Sequence, residues 1–156
     1  MRDKNYQIKL KIAGSGIEEQ NLKNLCHSSS LENEVEFLGW VNDKKSFFSK
    51  IDIFCLPSKE ETFGIALLEA MLYNKPIITT NTDGAKMILK DKVSGIIVDN
   101  SNQNLLADLI ADAILNLLNS PEIIFDLTTN AKRDLLKFYS TKAVENNLRD
   151  FLGQFR

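Results

Sequence analysis

Residues 51–56, Ile-Asp-Ile-Phe-Cys-Leu, form an almost continuously apolar run that ends at Pro57. Runs of this kind are typical of β-strands that are buried on both faces, as the strands of parallel sheets are. Short apolar or alternating segments predict four further strands, at residues 7–13, 35–38, 76–79 and 95–98. The run at 51–56 therefore favours a fold built on parallel strands.

Helical segments alternate with these strands. The first follows Gly16, and the others are predicted at residues 44–49, 64–73 and 86–89. The spacing of Ile17, Leu22, Leu25 and Cys26 predicts that these residues share one face of the first helix. Strands that alternate with helices predict an α/β fold, a parallel sheet with helices on both faces, over residues 7–100.

The chain beyond Asn100 is predicted to be entirely helical, because its apolar residues recur three and four positions apart. Ser120 and Pro121 are typical of a helix start, with serine as the N-cap and proline at the first position. Ser140 is predicted to cap a last helix, whose apolar residues are Val144, Leu148, Phe151 and Leu152. Residues 101–156 thus form extra C-terminal helices.

Length and charge exclude several classes of protein. With 156 residues, 44% of them hydrophobic, the chain is expected to fold as a single domain at 1–156. The net charge of −2 argues against nucleic-acid binding through phosphate contacts. No apolar run approaches the roughly 20 residues of a membrane span. Residues 1–5 precede no apolar region, so no signal peptide is predicted.

The two cysteines lie in apolar surroundings and are predicted to be reduced core residues, since no cysteine-rich framework is present. They form no metal site, because the one histidine, His27, adjoins Cys26 in sequence and nothing completes a ligand set. The expected compartment is the cytoplasm.

Ligands of parallel α/β folds bind where strands end and helices begin, so the loops there are the candidate sites. The loop at Gly14 and Gly16 could bring backbone amides to an anion, or it could be only a tight turn. Trp40, with Val41, follows the strand at 35–38. Its ring could pack beside a nucleobase or fill a hydrophobic corner.

The loop after Pro57 is the most informative one. Glu61 lies just before a helix that opens at Phe63 and Gly64, and Glu69 is a charge inside that apolar helix. A carboxylate there is costly unless it finds hydrogen-bond donors, and sugar or ribose hydroxyls are suitable donors. Alternatively, Glu61 complements the helix dipole and Glu69 pairs with a structural lysine.

The loop that follows the next strand, residues 79–85, would lie at the same edge of the sheet. It could approach a ligand or only turn the chain. The sequence does not decide between these two interpretations.

Seven residues separate Glu61 from Glu69, within the pattern Pro-Ser (57–58), Glu-Thr-Phe-Gly (61–64) and Glu-Ala-Met (69–71). This segment resembles the E-x7-E signature of the retaining glycosyltransferases of family 4, also called group 1. Residues 12–16, 35–39, 75–79 and 94–98 resemble the family's glycine loop and neighbouring strands in order and spacing. The resemblance extends closely over residues 7–100.

The resemblance implies the GT-B fold, in which two Rossmann-like domains face each other across a cleft. It identifies this chain as the C-terminal, donor-binding domain, without the N-terminal acceptor-binding domain. The family's donor domain also begins with an Arg and a Lys that hold the diphosphate, and Arg2 and Lys4 do not match them. The chain alone is therefore expected to be inactive. The family often has two glycines where this chain has Gly84-Ala85, which questions any backbone contact from that loop.

The resemblance also assigns roles within a site for a nucleotide-diphosphate sugar, the expected donor. Glu61, the catalytic candidate, accepts from hydroxyls of the donor sugar and stabilises charge, and Glu69 accepts from the ribose hydroxyls. The backbone amides of Phe63, Gly64 and Ile65 face the phosphate and the sugar.

The remaining substrate-binding candidates are Gly14, in the glycine loop, and Trp40 and Val41, which border the base. Neither a metal nor a cofactor is expected. The implied acceptor is a polysaccharide or a glycolipid. Contact with the membrane, at its inner face, would be peripheral.

Two alternatives remain beside the transferase interpretation. A sugar-nucleotide epimerase of GT-B type would share the donor site, but the helix start at Phe63-Gly64 followed by Glu-Ala-Met speaks against it. A non-catalytic nucleotide-binding domain would keep the fold and bind without transfer.

Overall fold

The structure is a computed structural model of the chain, and it describes residues 6–154. Arg2 and Lys4, which do not match the family's diphosphate-binding pair, lie outside the described residues. The chain divides between Phe47 and Phe48 into two compact units.

The first unit contains strand β1 (Leu10–Ala13), helix α1 (Glu19–Ser28) and strand β2 (Val35–Gly39). The strands are parallel, as predicted, with Leu10 opposite Val35. The division between the units falls within a short helix, α2 (Lys44–Ser49), which has the predicted bounds. The first strand is shorter than the predicted 7–13.

The predicted apolar face of α1 lacks Ile17, and most of its residues are exposed. Cys26 is buried, whereas Ile17 is 96% exposed and both Leu22 and Leu25 are also exposed. Ile17 lies before α1, which begins at Glu19, so it is not part of the helical face. The two strands described in this unit form a narrow sheet, and this sheet leaves Leu22 and Leu25 of α1 uncovered.

The second unit is built on three parallel strands in the order β3, β4, β5. These are Phe54–Leu56, Ile77–Thr80 and Ile96–Val98, and the helices α3 (Ile65–Leu72) and α4 (Asp83–Ile88) connect them. All four residues of β4 are buried, which confirms the predicted strand at 76–79 with a shift of one residue. β3 is shorter than the apolar run 51–56, because the chain bends at residues 52–53 before it.

Helices cover the sheet of the second unit on both faces. Ile78 of β4 belongs to a buried cluster with Val98, Ala113, Leu117 and Leu127. The last three of these come from the two long helices α5 (Gln103–Asn119) and α6 (Pro121–Asp134). Ile77, which points to the opposite face, is also fully buried, and α3 contacts β4 as well. The predicted fold class, α/β with parallel strands flanked by helices, is confirmed.

The end of the described chain is helical, as predicted, with two differences in detail. A π-helical segment, Leu135–Tyr139, joins α6 to the last helix, α7 (Thr141–Gly153), and no sequence pattern indicated it. The Ser140 hydroxyl accepts from the Ala143 N–H at 3.2 Å, which confirms this N-cap. Ser120 is the N-cap of α6 and Pro121 its first residue, as predicted, but the cap acts through the Ser120 carbonyl rather than its hydroxyl, because the carbonyl accepts from the Ile123 N–H.

The apolar residues of α7, from Val144 to Leu152, are more than half exposed. Within residues 6–154, we find no helix with the length and apolar character needed to cross a membrane.

Both cysteines are free thiols, as predicted. Cys26 is buried, and Cys55 of β3 is half-buried against the cluster around Ile78. Burial raises the pKa of the Cys55 thiol from 9.0 to about 11, because the apolar surroundings disfavour the thiolate.

The raised pKa predicts a loss of stability in alkali. Between these two pKa values the unfolded chain releases the thiol proton while the folded chain keeps it, so the free energy of unfolding falls as pH rises, by up to about 1.4 kcal/mol per pH unit. Urea denaturation of the wild type and of Cys55→Val, at about pH 8 and about pH 10, measures this contribution. The wild type is expected to lose more stability than the variant, and equal losses would contradict the prediction.

Candidate functional site

The loop between β3 and α3, residues 57–64, contains most of the predicted site; we call it the Glu61 loop. β3 and β4 are parallel, so the loops after Leu56 and after Thr80 lie at the same, carboxyl edge of the sheet. The two loops are in contact there, because the Gly84 N–H donates to the Glu61 carbonyl at 2.8 Å.

The Glu61 carboxylate lies at the start of α3 and is half-buried. Its Oε1 accepts from the Gly64 N–H at 3.0 Å and, at the longer distance of 3.4 Å, from the Phe63 N–H. Its Oε2 accepts no hydrogen bond from any residue between 6 and 154. Of the two sequence-based interpretations of Glu61, the contact with the helix dipole is thus present. The amides of Phe63 and Gly64, expected to face a donor, donate to Glu61 in the structure.

Gly64 shapes the turn that presents these amides. It is the N-cap of α3 and adopts the left-handed region, with φ of 84° and ψ of 50°. A side chain there would be strained, and its Cβ would lie only 2.9 Å from the Leu67 side chain. The Phe-Gly pair therefore has a geometric reason: glycine lets the chain turn sharply enough for Glu61 to reach back to the helix start.

Glu69 lies on α3, in a helix whose other side faces the core. Leu67, Ala70 and Met71 are fully buried, whereas Glu69 is half-buried. Ile65, four residues earlier and hence on the same face as Glu69, is exposed. The other end of α3 meets a cation, because the Lys132 ammonium donates to the Leu72 carbonyl at 2.7 Å.

An aromatic contact beside the loop was not predicted. The rings of Phe63 and Tyr139 meet edge to face, with centroids 6.4 Å apart, and the Tyr139 hydroxyl donates to the Met87 carbonyl at 2.8 Å. The π-helical segment thus supports the Glu61 loop from the C-terminal helices. The sequence contains no signal for it, since Tyr139 lies far from the loop along the chain.

The predicted residues of the first unit lie at the ends of its two strands. The Gly14 N–H donates to the Gly39 carbonyl at 2.7 Å, next to Trp40. Trp40 is 74% exposed and its indole N–H donates to Asn42 Oδ1, so the interpretation that it fills a hydrophobic corner is wrong. Val41 is half-buried. Gly14, Trp40 and Val41 thus belong to one unit, and the other predicted site residues to the second.

Between residues 6 and 154, no group of three or more His, Cys, Asp and Glu side chains could hold a metal ion.

Solved structures share this fold. The Anabaena protein Alr3699/HepE, solved in complex with UDP, superposes with a TM-score of 0.82 at 22% identity, over 94% of this chain and 41% of its own. The sucrose-phosphate synthase of Thermosynechococcus elongatus gives 0.80 at 20% identity, over 94% and 38%. Both structures share the α/β fold that the sequence predicts, with parallel strands flanked by helices.

Relatives found by sequence have a higher sequence identity to this chain than these solved structures have. An uncharacterized glycosyltransferase of Haemophilus influenzae is 33% identical over 79% of this chain and 34% of its own length. The O-antigen biosynthesis glycosyltransferase WclY of Escherichia coli is 35% identical over 74% and 32%. The chain thus spans about a third of the length of these curated relatives. A profile of the family described as "Glycosyl transferases group 1" matches residues 1–134, and the chain belongs to this family.

Proposed function

We propose that the chain is the donor-binding domain of a retaining glycosyltransferase of family 4, which transfers a sugar from a nucleotide-diphosphate sugar to a polysaccharide or glycolipid. The observation that carries the proposal is the Glu61 loop, which places a carboxylate and a helix start at the carboxyl edge of the sheet in a group 1 chain. The O-antigen relative and the UDP complex of a structural neighbour support the acceptor and donor classes.

The donor sugar lies against Glu61 in this proposal. Two backbone amides hold Oε1, which fixes the orientation of the carboxylate and leaves Oε2 for a sugar hydroxyl. A hydroxyl that donates to a carboxylate forms a strong, charge-assisted hydrogen bond. A phosphate at the same distance would be repelled by the like charge, so the diphosphate lies further along, towards the amide of Ile65.

The nucleoside part of the donor is bound by the other candidates. Glu69, on the half-exposed face of α3, accepts from the ribose hydroxyls. Gly14, Trp40 and Val41 border the base, and the exposed indole ring of Trp40 supports this role, because a flat aromatic face can stack on any base.

The partner in this proposal is an acceptor-binding domain, without which the chain performs no transfer. The share of the relatives' length that the chain covers, about a third, supports it. Positioning of two substrates contributes a large part of the catalysis, up to about 7–11 kcal/mol, and a donor domain by itself positions only one. We place the enzyme in the cytoplasm, at most peripherally at the inner face of the membrane; its two free thiols are consistent with a reducing compartment.

Glu69→Gln is expected to weaken binding of the nucleotide by about 1–3 kcal/mol, because it removes a charged hydrogen-bond acceptor. The melting temperature should change little. Titrations of the chain with UDP, GDP and ADP, followed by NMR, measure the affinity. Glu145→Gln, the same change on an exposed part of α7, is the matched control. Unchanged affinity together with a large fall in melting temperature would mean that Glu69 is a structural residue.

Glu61→Ala is expected to lower sugar transfer far more than nucleotide affinity, because the partner of Glu61 is the sugar. Release of nucleoside diphosphate by an enzyme that joins this chain to its acceptor domain measures transfer. Nucleotide titration of the chain measures binding. Glu60→Ala changes the neighbouring, exposed carboxylate and should leave both unaffected. If Glu61→Ala lowers nucleotide affinity as much as transfer, the assignment to the sugar is wrong.

A further inference from the structure

Three hydrogen bonds join the end of β3 and the Glu61 loop to the neighbouring segment of the second unit, and all three donors lie within residues 79–84. The Thr79 hydroxyl donates to the Leu56 carbonyl at 3.0 Å, and the Thr80 hydroxyl donates to the Ser58 carbonyl. The Gly84 N–H donates to the Glu61 carbonyl at 2.8 Å. We call Thr79, Thr80 and Gly84 the clamp, because together they fix the chain from the end of β3 to Glu61.

The backbone of Gly84 lies so close to the Glu61 loop that no residue with a side chain fits at position 84 without a shift. A Cβ at this position would lie 2.7 Å from the Glu61 carbonyl oxygen, 2.9 Å from the Phe63 nitrogen and 3.0 Å from the Phe63 carbonyl carbon. All three are backbone atoms, so no flexible side chain can move aside. An alanine here would force the Glu61 loop, or α4 itself, to shift.

Helix propensity does not explain why residue 84 is a glycine. Gly84 is the second residue of α4 and is buried. Alanine has a higher helix propensity than glycine. Gly84 therefore stands where helix propensity favours another residue, and the close approach to the Glu61 loop accounts for it.

The atoms that Gly84 contacts are those that hold the Glu61 side chain. The Phe63 N–H, which a Cβ would strike, and the Gly64 N–H next to it are the two donors to Glu61 Oε1. The Glu61 carbonyl is itself the acceptor for Gly84. A shift of this backbone therefore moves both the carboxylate and the amides that orient it.

We propose that Gly84 is a positioning residue for Glu61: its lack of a side chain and its N–H set the place of the Glu61 loop, and through it the orientation of the carboxylate towards the donor sugar. The effect on the sugar rests on the proposed function of Glu61, whereas the effect on the loop does not. Thr80 contributes to the same positioning through its hydroxyl.

The first test needs no ligand. In Gly84→Ala, the amide signals of Phe63 and Gly64 should shift, and the Gly64 amide should exchange with solvent about tenfold faster, the effect of losing one hydrogen bond to a charged group. Gly95→Ala is the matched control, because Gly95 is also buried but its Cβ would mainly meet the flexible Leu89 side chain, at 3.0 Å. Wild-type signals and exchange at both amides in Gly84→Ala, or equal changes in Gly95→Ala, would overturn the proposal.

The second test compares UDP with UDP-glucose, GDP with GDP-mannose and ADP with ADP-glucose on the wild-type chain and on the variants. Gly84→Ala should leave nucleotide affinity unchanged and abolish the preference for the sugar-carrying ligand. In a Glu61→Ala background it should change nothing further. A further loss in that background would show that Gly84 acts independently of Glu61 and would overturn the proposal. If the wild type itself shows no such preference, the proposed role of Glu61 fails, and the amide signals still decide the role of Gly84.

Should Gly84→Ala fail to fold, a pair of substitutions at Thr80 provides the same information. Thr80→Val removes the hydroxyl that bonds the Ser58 carbonyl at nearly constant volume, and Thr80→Ser keeps it. The amide signals of Phe63 and Gly64 should shift in the valine variant and should keep their wild-type positions in the serine variant. Identical amide signals in the two variants would refute the positioning of Glu61 by the clamp.

Discussion

The second unit depends on the complete burial of β4. This strand is paired on both edges, with β3 and with β5, and its four side chains are all inaccessible. Two of the four are threonines, and a buried hydroxyl without a partner destabilises a fold. Thr79 and Thr80 find their partners in carbonyls of the chain that leaves β3. The hydrogen bonds that satisfy the buried strand are therefore the same ones that fix the Glu61 loop.

The parts of the fold that follow from local pattern could be predicted from the sequence. β4 and α2 were predicted within one residue, because their apolar residues and boundaries are local signals. The sequence predicts helix only at 86–89, whereas α4 begins at Asp83. Gly84 favours a turn in the sequence, but the Thr82 hydroxyl accepts from the Ala85 N–H and caps the helix there. The exposure of Leu22 and Leu25 on α1 could not be predicted, because periodicity shows which residues share a face, not whether another element covers it.

Prediction of the candidate site had a similar limit. The position of Glu61 before an apolar helix singles it out in the sequence and allows two interpretations, one of which the structure contains as the contact with the Gly64 amide. The approach of Gly84 to the same loop could not be predicted, because it joins residues more than twenty positions apart through backbone atoms. The contact of Tyr139 with Phe63 depends in addition on a π-helical segment, for which the sequence has no recognised signal.

The contacts at the two ends of α3 affect the electric field of this helix. Its N-terminus carries the equivalent of about half a positive charge and its C-terminus about half a negative one. The Glu61 carboxylate lies at the first end and the Lys132 ammonium at the second, each with a full charge of opposite sign. The ion at each end thus opposes the partial charge of the helix. A diphosphate approaching this edge of the sheet gains less attraction from α3 while Glu61 keeps its contact, so basic side chains have to balance more of its charge.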